Sequence, residues 1–118
     1  MRTVHEYFAF VVAALNLGTG IWGVVAYRRK KPVTRTYWRV LGVAWATIYI
    51  QGALGLAMFN KYKPSLKHVF YGFLFAIVTL AVFPIRGESK KRTHLVFSVA
   101  TLFIGIVAIR AIVSGYAL

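Results

Sequence analysis

The chain has 118 residues; 59% are hydrophobic, 14% are charged, and fifteen Lys and Arg stand against two acids, Glu6 and Glu88. A soluble domain carries about a quarter charged residues and about half apolar ones, so disorder and most soluble folds are excluded, and the length admits one domain, residues 1–118. With no cysteine there are no disulfides, thiolate metal sites or redox thiols.

Charge-free runs define the elements. No charged residue falls from Tyr7 to Tyr27, which predicts a first span over 6–27. Only Arg2 carries positive charge ahead of it, and no small-x-small exit precedes Arg28, so it reads as a retained span and not a cleaved signal peptide. Arg28-Arg29-Lys30-Lys31 acts as its stop. The run from Val40 to Asn60 is equally free of charge and predicts a span over 38–59. Asn60-Lys61-Tyr62-Lys63-Pro64-Ser65 reads as a loop. The shorter run from His68 to Ile85 predicts a span over 68–85, followed by the loop Arg86-Gly87-Glu88-Ser89. A last run from Thr93 to Ile109 is broken by Arg110 alone and then continues without charge to Leu118; this predicts a fourth span over 95–116. A bilayer core takes about 20 apolar residues of helix. Membrane strands would alternate in polarity, and these runs do not. Pro32, Pro64 and Pro84 fall in connections or at a helix end, where a missing N–H costs little. The fold class is all-α, an integral membrane antiparallel four-helix bundle with short connections.

Lys and Arg counts set the orientation. The first connection holds Arg28, Arg29, Lys30, Lys31, Arg35 and Arg39, and the third holds Arg86, Lys90, Lys91 and Arg92. Against these ten stand Arg2, Lys61, Lys63 and Lys67. Segments 28–39 and 86–94 are therefore expected to be cytoplasmic and both termini outside, in a multi-pass plasma membrane protein. The pI of 10.7 follows from this topology and from attraction to anionic lipid, and does not call for nucleic acid.

The halves resemble each other. His5-Glu6-Tyr7-Phe8-Ala9-Phe10 opens the first span and His68-Val69-Phe70-Tyr71-Gly72-Phe73 the third. A duplicated helical hairpin would place a pseudo-two-fold axis along the membrane normal and set His5 against His68 at one depth.

Helical phase groups the polar residues. One stripe of the first span carries His5, Ala9, Val12, Asn16, Thr19, Gly20 and Gly23. The second carries Ala44, Thr47, Gln51, Gly55 and Met58; the third His68, Tyr71, Gly72, Phe75 and Thr79; the fourth Phe103, Ile106, Arg110 and Ser114. Small and polar stripes mark helix–helix interfaces in lipid. Gly20, Gly23, Gly52 and Gly55 are read as close-packing positions, Asn16 and Gln51 as interhelical hydrogen-bonding groups, and Val78 as lipid-facing. Arg110 sits about 10–12 Å inside the outer end of its span at about 1.5 Å per residue, where it either snorkels to headgroups or meets an anionic or carbonyl partner. His94 is expected in a loop or cap. Trp22, Trp38 and Trp45, with Tyr7, Tyr37, Tyr62 and Tyr116, fit interfacial aromatic belts.

No close carboxylate pair, Gly-x-x-x-x-Gly-Lys loop or buried nucleophile–base pair exists, so no enzyme is expected. The first functional reading is a non-catalytic accessory or assembly subunit of a larger membrane complex, in contact with lipid and with other membrane subunits or further copies of itself. The alternative is a b-type haem- or quinone-binding four-helix redox protein. Its metal ligands would be His5 and His68, with Arg110, Tyr71 and Gln51 as further cofactor-binding residues. His68-x-x-Tyr71-Gly72, Gln51-x-Ala53-Leu54-Gly55 and Arg110-Ala111-x-x-Ser114-Gly115 resemble motifs of a family of uncharacterised small bacterial four-span membrane proteins. The resemblance covers most of the chain and implies this architecture, without an activity.

Overall fold

The computed structural model describes residues 2–58, 66–85 and 89–116, and these form α1 (Arg2–Arg28), α2 (Arg35–Met58), α3 (Leu66–Ile85) and α4 (Lys90–Tyr116). All four helices are long and apolar enough to cross a membrane. The long axis of the molecule is 47 Å, room for α1 at its full length of about 40 Å. The expected loop 60–65 and most of the loop 86–89 lie outside the described residues.

The helix ends show why charge-free runs underestimate helix length. α4 starts at Lys90, ahead of the expected span and well inside its basic flank. Ser89 caps it: Arg92 N–H donates to Ser89 Oγ at 3.1 Å, and Thr93 N–H to the Ser89 carbonyl at 3.0 Å. Such a cap satisfies donors that the first turn leaves open. α1 ends in a Schellman arrangement. Lys31 N–H reaches the Ala26 carbonyl at 2.9 Å, Lys30 N–H reaches the Tyr27 carbonyl at 3.1 Å, and Lys30 takes φ 57°.

α1 and α4 form the central, most extensively packed pair; α2 lies against α1 and α3 against α4. Two glycines make the central contact possible. A Cβ at Gly20 would meet the Leu102 backbone at 2.5 Å, and one at Gly105 the Leu17 backbone at 2.7 Å. Helices in lipid associate by such close approach, because apolar side chains gain nothing by leaving lipid for each other. Gly52 has no heavy atom within 4 Å of such a Cβ, and neither has Gly72. Both are exposed, which corrects the close-packing role expected of Gly52 and the inward position of Gly72.

Among the described residues α2 and α3 barely meet. A two-fold exchanging α1 with α3 and α2 with α4 would turn the α1–α4 contact into an α3–α2 contact of equal extent. The packing therefore departs from that symmetry. Tyr49 OH and Thr79 Oγ1, 2.5 Å apart, bridge α2 and α3.

The core contains Val12, Tyr37, Leu41, Ile48, Val82, Phe97 and Ile104. Trp45 belongs to it: the ring is buried, stacks on Phe97 at 5.3 Å, and donates Nε1–H to Thr101 Oγ1 at 2.9 Å. Tyr37 is wholly buried. Both depart from the expected belts. Val78 packs against the core and is not lipid-facing. The expected stripes hold on α1 and α2. On α4 the buried face is His94, Phe97, Ser98, Thr101, Ile104 and Ala108, whereas Phe103, Ile106 and Arg110 are exposed; the Ser114 side chain lies outside the described residues. Arg110 follows Thr101 by nine positions, which at about 3.6 residues per turn is half a turn round the helix. The stripe through Phe103, Ile106 and Arg110 is therefore the outward face of this helix.

Candidate functional site

Two histidine clusters occupy opposite ends of the bundle. At the end where α1 begins, His5 comes from its first turn and His68 from the first turn of α3. Their ring centroids are 6.3 Å apart with planes at 75°, so the expected juxtaposition occurs. Gln51, one α2 turn before Gly55, donates Nε2–H to the His5 carbonyl at 2.7 Å and ties α2 to the start of α1. The His5 ring lies against Gly55, where a Cβ would come 3.3 Å from its Cε1; this glycine makes room for a ring, not for a backbone. His68 Nδ1 lies 3.0 Å from the Ala111 carbonyl. A carbonyl only accepts, so the proton is on Nδ1. His5 Nδ1 and Gln51 Oε1 are buried without a hydrogen-bond partner. A buried polar atom left open costs about 1–3 kcal/mol; among the described residues the one other such side-chain atom is Asn16 Oδ1 in the bundle interior, so this end gathers two of the three.

The other candidates flank this group. Tyr71, half-buried, follows His68 by three positions and packs against Phe70 at 5.9 Å. Arg110 is exposed on α4 beside Ala111, the residue that holds His68. The structure thus joins His5, Gln51 and His68, sets Tyr71 on the adjoining turn, and leaves Arg110 on the outer face at the level of His68.

The opposite end is built differently. His94, expected in a loop, is buried in the first turns of α4; its Nε2–H donates to the Gly23 carbonyl at 2.7 Å. Its ring meets Tyr27 at 5.8 Å and Tyr37 at 5.7 Å. Tyr37 OH shares a 2.6 Å hydrogen bond with Ser98 Oγ, and Trp22 and Trp38 pack edge-on against the Tyr37 ring. Gly23 faces this pair, and a Cβ there would strike both Ser98 and Tyr37. Further along, Asn16 Nδ2 donates to Val12 O at 2.8 Å and Ala44 O at 3.2 Å, the interhelical role expected of it. The missed residues had a signal: His94, Ser98, Thr101 and Gly105 recur at i, i+4, i+7 and i+11, the period of one helix face.

Compared with family models, curated proteins and solved structures, the chain matches none. Chemically, the His5–His68 end offers two imidazoles from different helices, one with its Nδ1 proton held by a carbonyl. The His94 end offers a polar network whose hydrogen bonds close within the protein.

Proposed function

We propose that this small membrane protein holds a b-type haem between His5 and His68. The observation that supports the reading is the His5–His68 ring contact, with centroids 6.3 Å apart and planes at 75°: these two imidazoles, carried by different helices, are the residues that would hold the haem iron. The Nδ1–H of His68 on the Ala111 carbonyl is the kind of outer support that orients a ligating imidazole. Arg110 supplies a cation for a propionate. When bound, the haem would supply one-electron chemistry, with a potential set by its axial ligands and burial. The chain's own part is to hold the start of α1 through Gln51 on the His5 backbone carbonyl, to seat the His5 ring against Gly55, and to orient His68 on the Ala111 carbonyl.

The test is a reduced-minus-oxidised visible spectrum of the protein purified in detergent. A Soret band with a sharp α-band is expected, abolished by His5→Ala and by His68→Ala and retained in His94→Ala. A colourless protein that takes up no added haemin overturns the reading. Retained quinone in such a preparation would assign the open His5 Nδ1 and Gln51 Oε1 to a quinone headgroup.

A role as an accessory or assembly subunit is supported by a different feature. Leu66, Phe70, Phe73, Ile77 and Leu80 are all exposed, and their 4-3-4-3 spacing is that of a helix seam. α3 is also the least buried span. This face would meet another membrane subunit or a second copy, and the two roles are compatible in one protein. Paired Phe73→Ala and Ile77→Ala should lower the assembled mass in mild detergent; an unchanged mass removes this role. The basic end is proposed to be cytoplasmic. Lys67→Cys should react with an impermeant thiol reagent from outside intact cells and Ser89→Cys should not; the reverse pattern inverts the topology.

A further inference from the structure

The basic end contains a cavity of about 400 Å³ between the exit of α1 and the entry of α4. Arg28, Lys30, Lys31 and Lys91 line it, with Tyr27 and His94 among its walls. The cavity is open and all four cations are exposed; like charges gathered at one cleft create a positive potential that favours an anion among them. The helix ends sharpen this. α4 has no acid in its first turn and begins Lys90-Lys91-Arg92, so three cations sit at the positive end of its dipole, where negative charge is favoured. In sequence, the two basic connections carry ten Lys and Arg and one acid, Glu88. The backbone invests in the arrangement as well: the Schellman turn that aims Lys30 and Lys31 holds Lys30 in the left-handed region, a conformation that favours glycine.

Position identifies the source of the anion. Arg28 is the last residue of α1 and Lys91 lies in the first turn of α4. A helix of about 40 Å crossing a hydrocarbon core of about 30 Å puts both at headgroup level. Basic pockets between membrane helices at this level bind anionic lipid heads. We propose that this cavity binds the phosphate of an anionic phospholipid, with Arg28, Lys30, Lys31 and Lys91 as its cationic contacts and Tyr27 and His94 as its wall. The site is independent of the haem reading, because it lies at the opposite end of the bundle and uses none of the same residues.

The experiment is native mass spectrometry of the full chain in non-ionic detergent, titrated separately with dioleoyl phosphatidylglycerol, dioleoyl phosphatidylcholine and inorganic phosphate. One phosphatidylglycerol should be retained in preference to phosphatidylcholine. Lys31→Ala and Lys91→Ala should each weaken it about 5-fold, the effect of one cation near an anionic headgroup, and Lys31→Arg should preserve it. Arg35 and Arg39 are exposed and outside the cavity lining, so Arg35→Ala and Arg39→Ala, which remove the same charge, should change affinity less than about 2-fold. Equal losses at Arg39 and Lys91 would reduce the effect to diffuse surface attraction and overturn the site. Binding of phosphate alone with no preference between the lipids would overturn the lipid assignment.

Discussion

The two ends of this bundle each hold a histidine on a backbone carbonyl, yet they are finished differently. At the basic end His94 is bonded to Gly23, Tyr37 to Ser98, and aromatic rings enclose them. At the other end His5 Nδ1 and Gln51 Oε1 remain buried without partners, beside a helix, α3, that meets α1 and α2 only sparsely. Burial alone does not mark function. A closed polar network rigidifies, whereas open polar atoms at a loosely packed junction are where a ligand gains most.

The largest test of this contrast lies between the ends, in the contact that holds both in place. Gly20→Leu should cost about 3 kcal/mol or more, or prevent folding, since overpacking a well-filled core costs about 1–3 kcal/mol even where side chains can shift, and here the obstacle is Leu102 backbone. Gly52→Leu, into open space, should be neutral or slightly stabilising by helix propensity. Unfolding by dodecyl sulfate in mixed micelles checks both, and equal losses would discard the assignment of the α1–α4 seam.

The histidines should then separate the ends. His94→Ala should destabilise by about 2–4 kcal/mol, from the void and the orphaned Gly23 carbonyl. His5→Ala should cost the ligand-free protein less than about 1 kcal/mol, because it also removes an unpaired buried atom. Similar losses in the same unfolding assay would erase the distinction. Within the closed end, Tyr37→Phe should cost about 1–2 kcal/mol by leaving Ser98 unpaired. Adding Ser98→Ala should recover part of that loss, measured as a coupling energy in a double-mutant cycle. Lys30→Gly should raise stability by about 1 kcal/mol, the penalty of a left-handed non-glycine residue, seen as a higher midpoint in the same titration. In the haem-free protein the smallest effect is expected at Arg110→Lys, within about 0.5 kcal/mol, since an exposed long cation reaches the lipid headgroups as an ammonium or as a guanidinium; a larger loss would indicate a planar, bidentate partner.

Residue order alone determined the number of spans, their antiparallel sense and the inward stripes of α1 and α2. Apolar length and the placement of small and polar groups are local properties, readable without knowing a neighbour. The pairing of His5 with His68 was legible too, from the repeated His-x-aromatic-aromatic pattern, although the symmetry behind that expectation is not kept. The rest was decided by tertiary structure. Which helices form the central pair depends on Gly20 and Gly105 meeting backbone across the seam, a match between two distant positions that neither shows by itself. The stripe expected to face inward on α4 runs through Phe103, Ile106 and Arg110, and these face outward; at that depth the long stem of Arg110 allows the outward alternative, snorkelling. His94 and Trp45 were placed at the periphery by position along the chain. Their burial follows from partners on other helices, Gly23 and Thr101, which make a polar ring tip acceptable inside a membrane protein only once the helices have assembled.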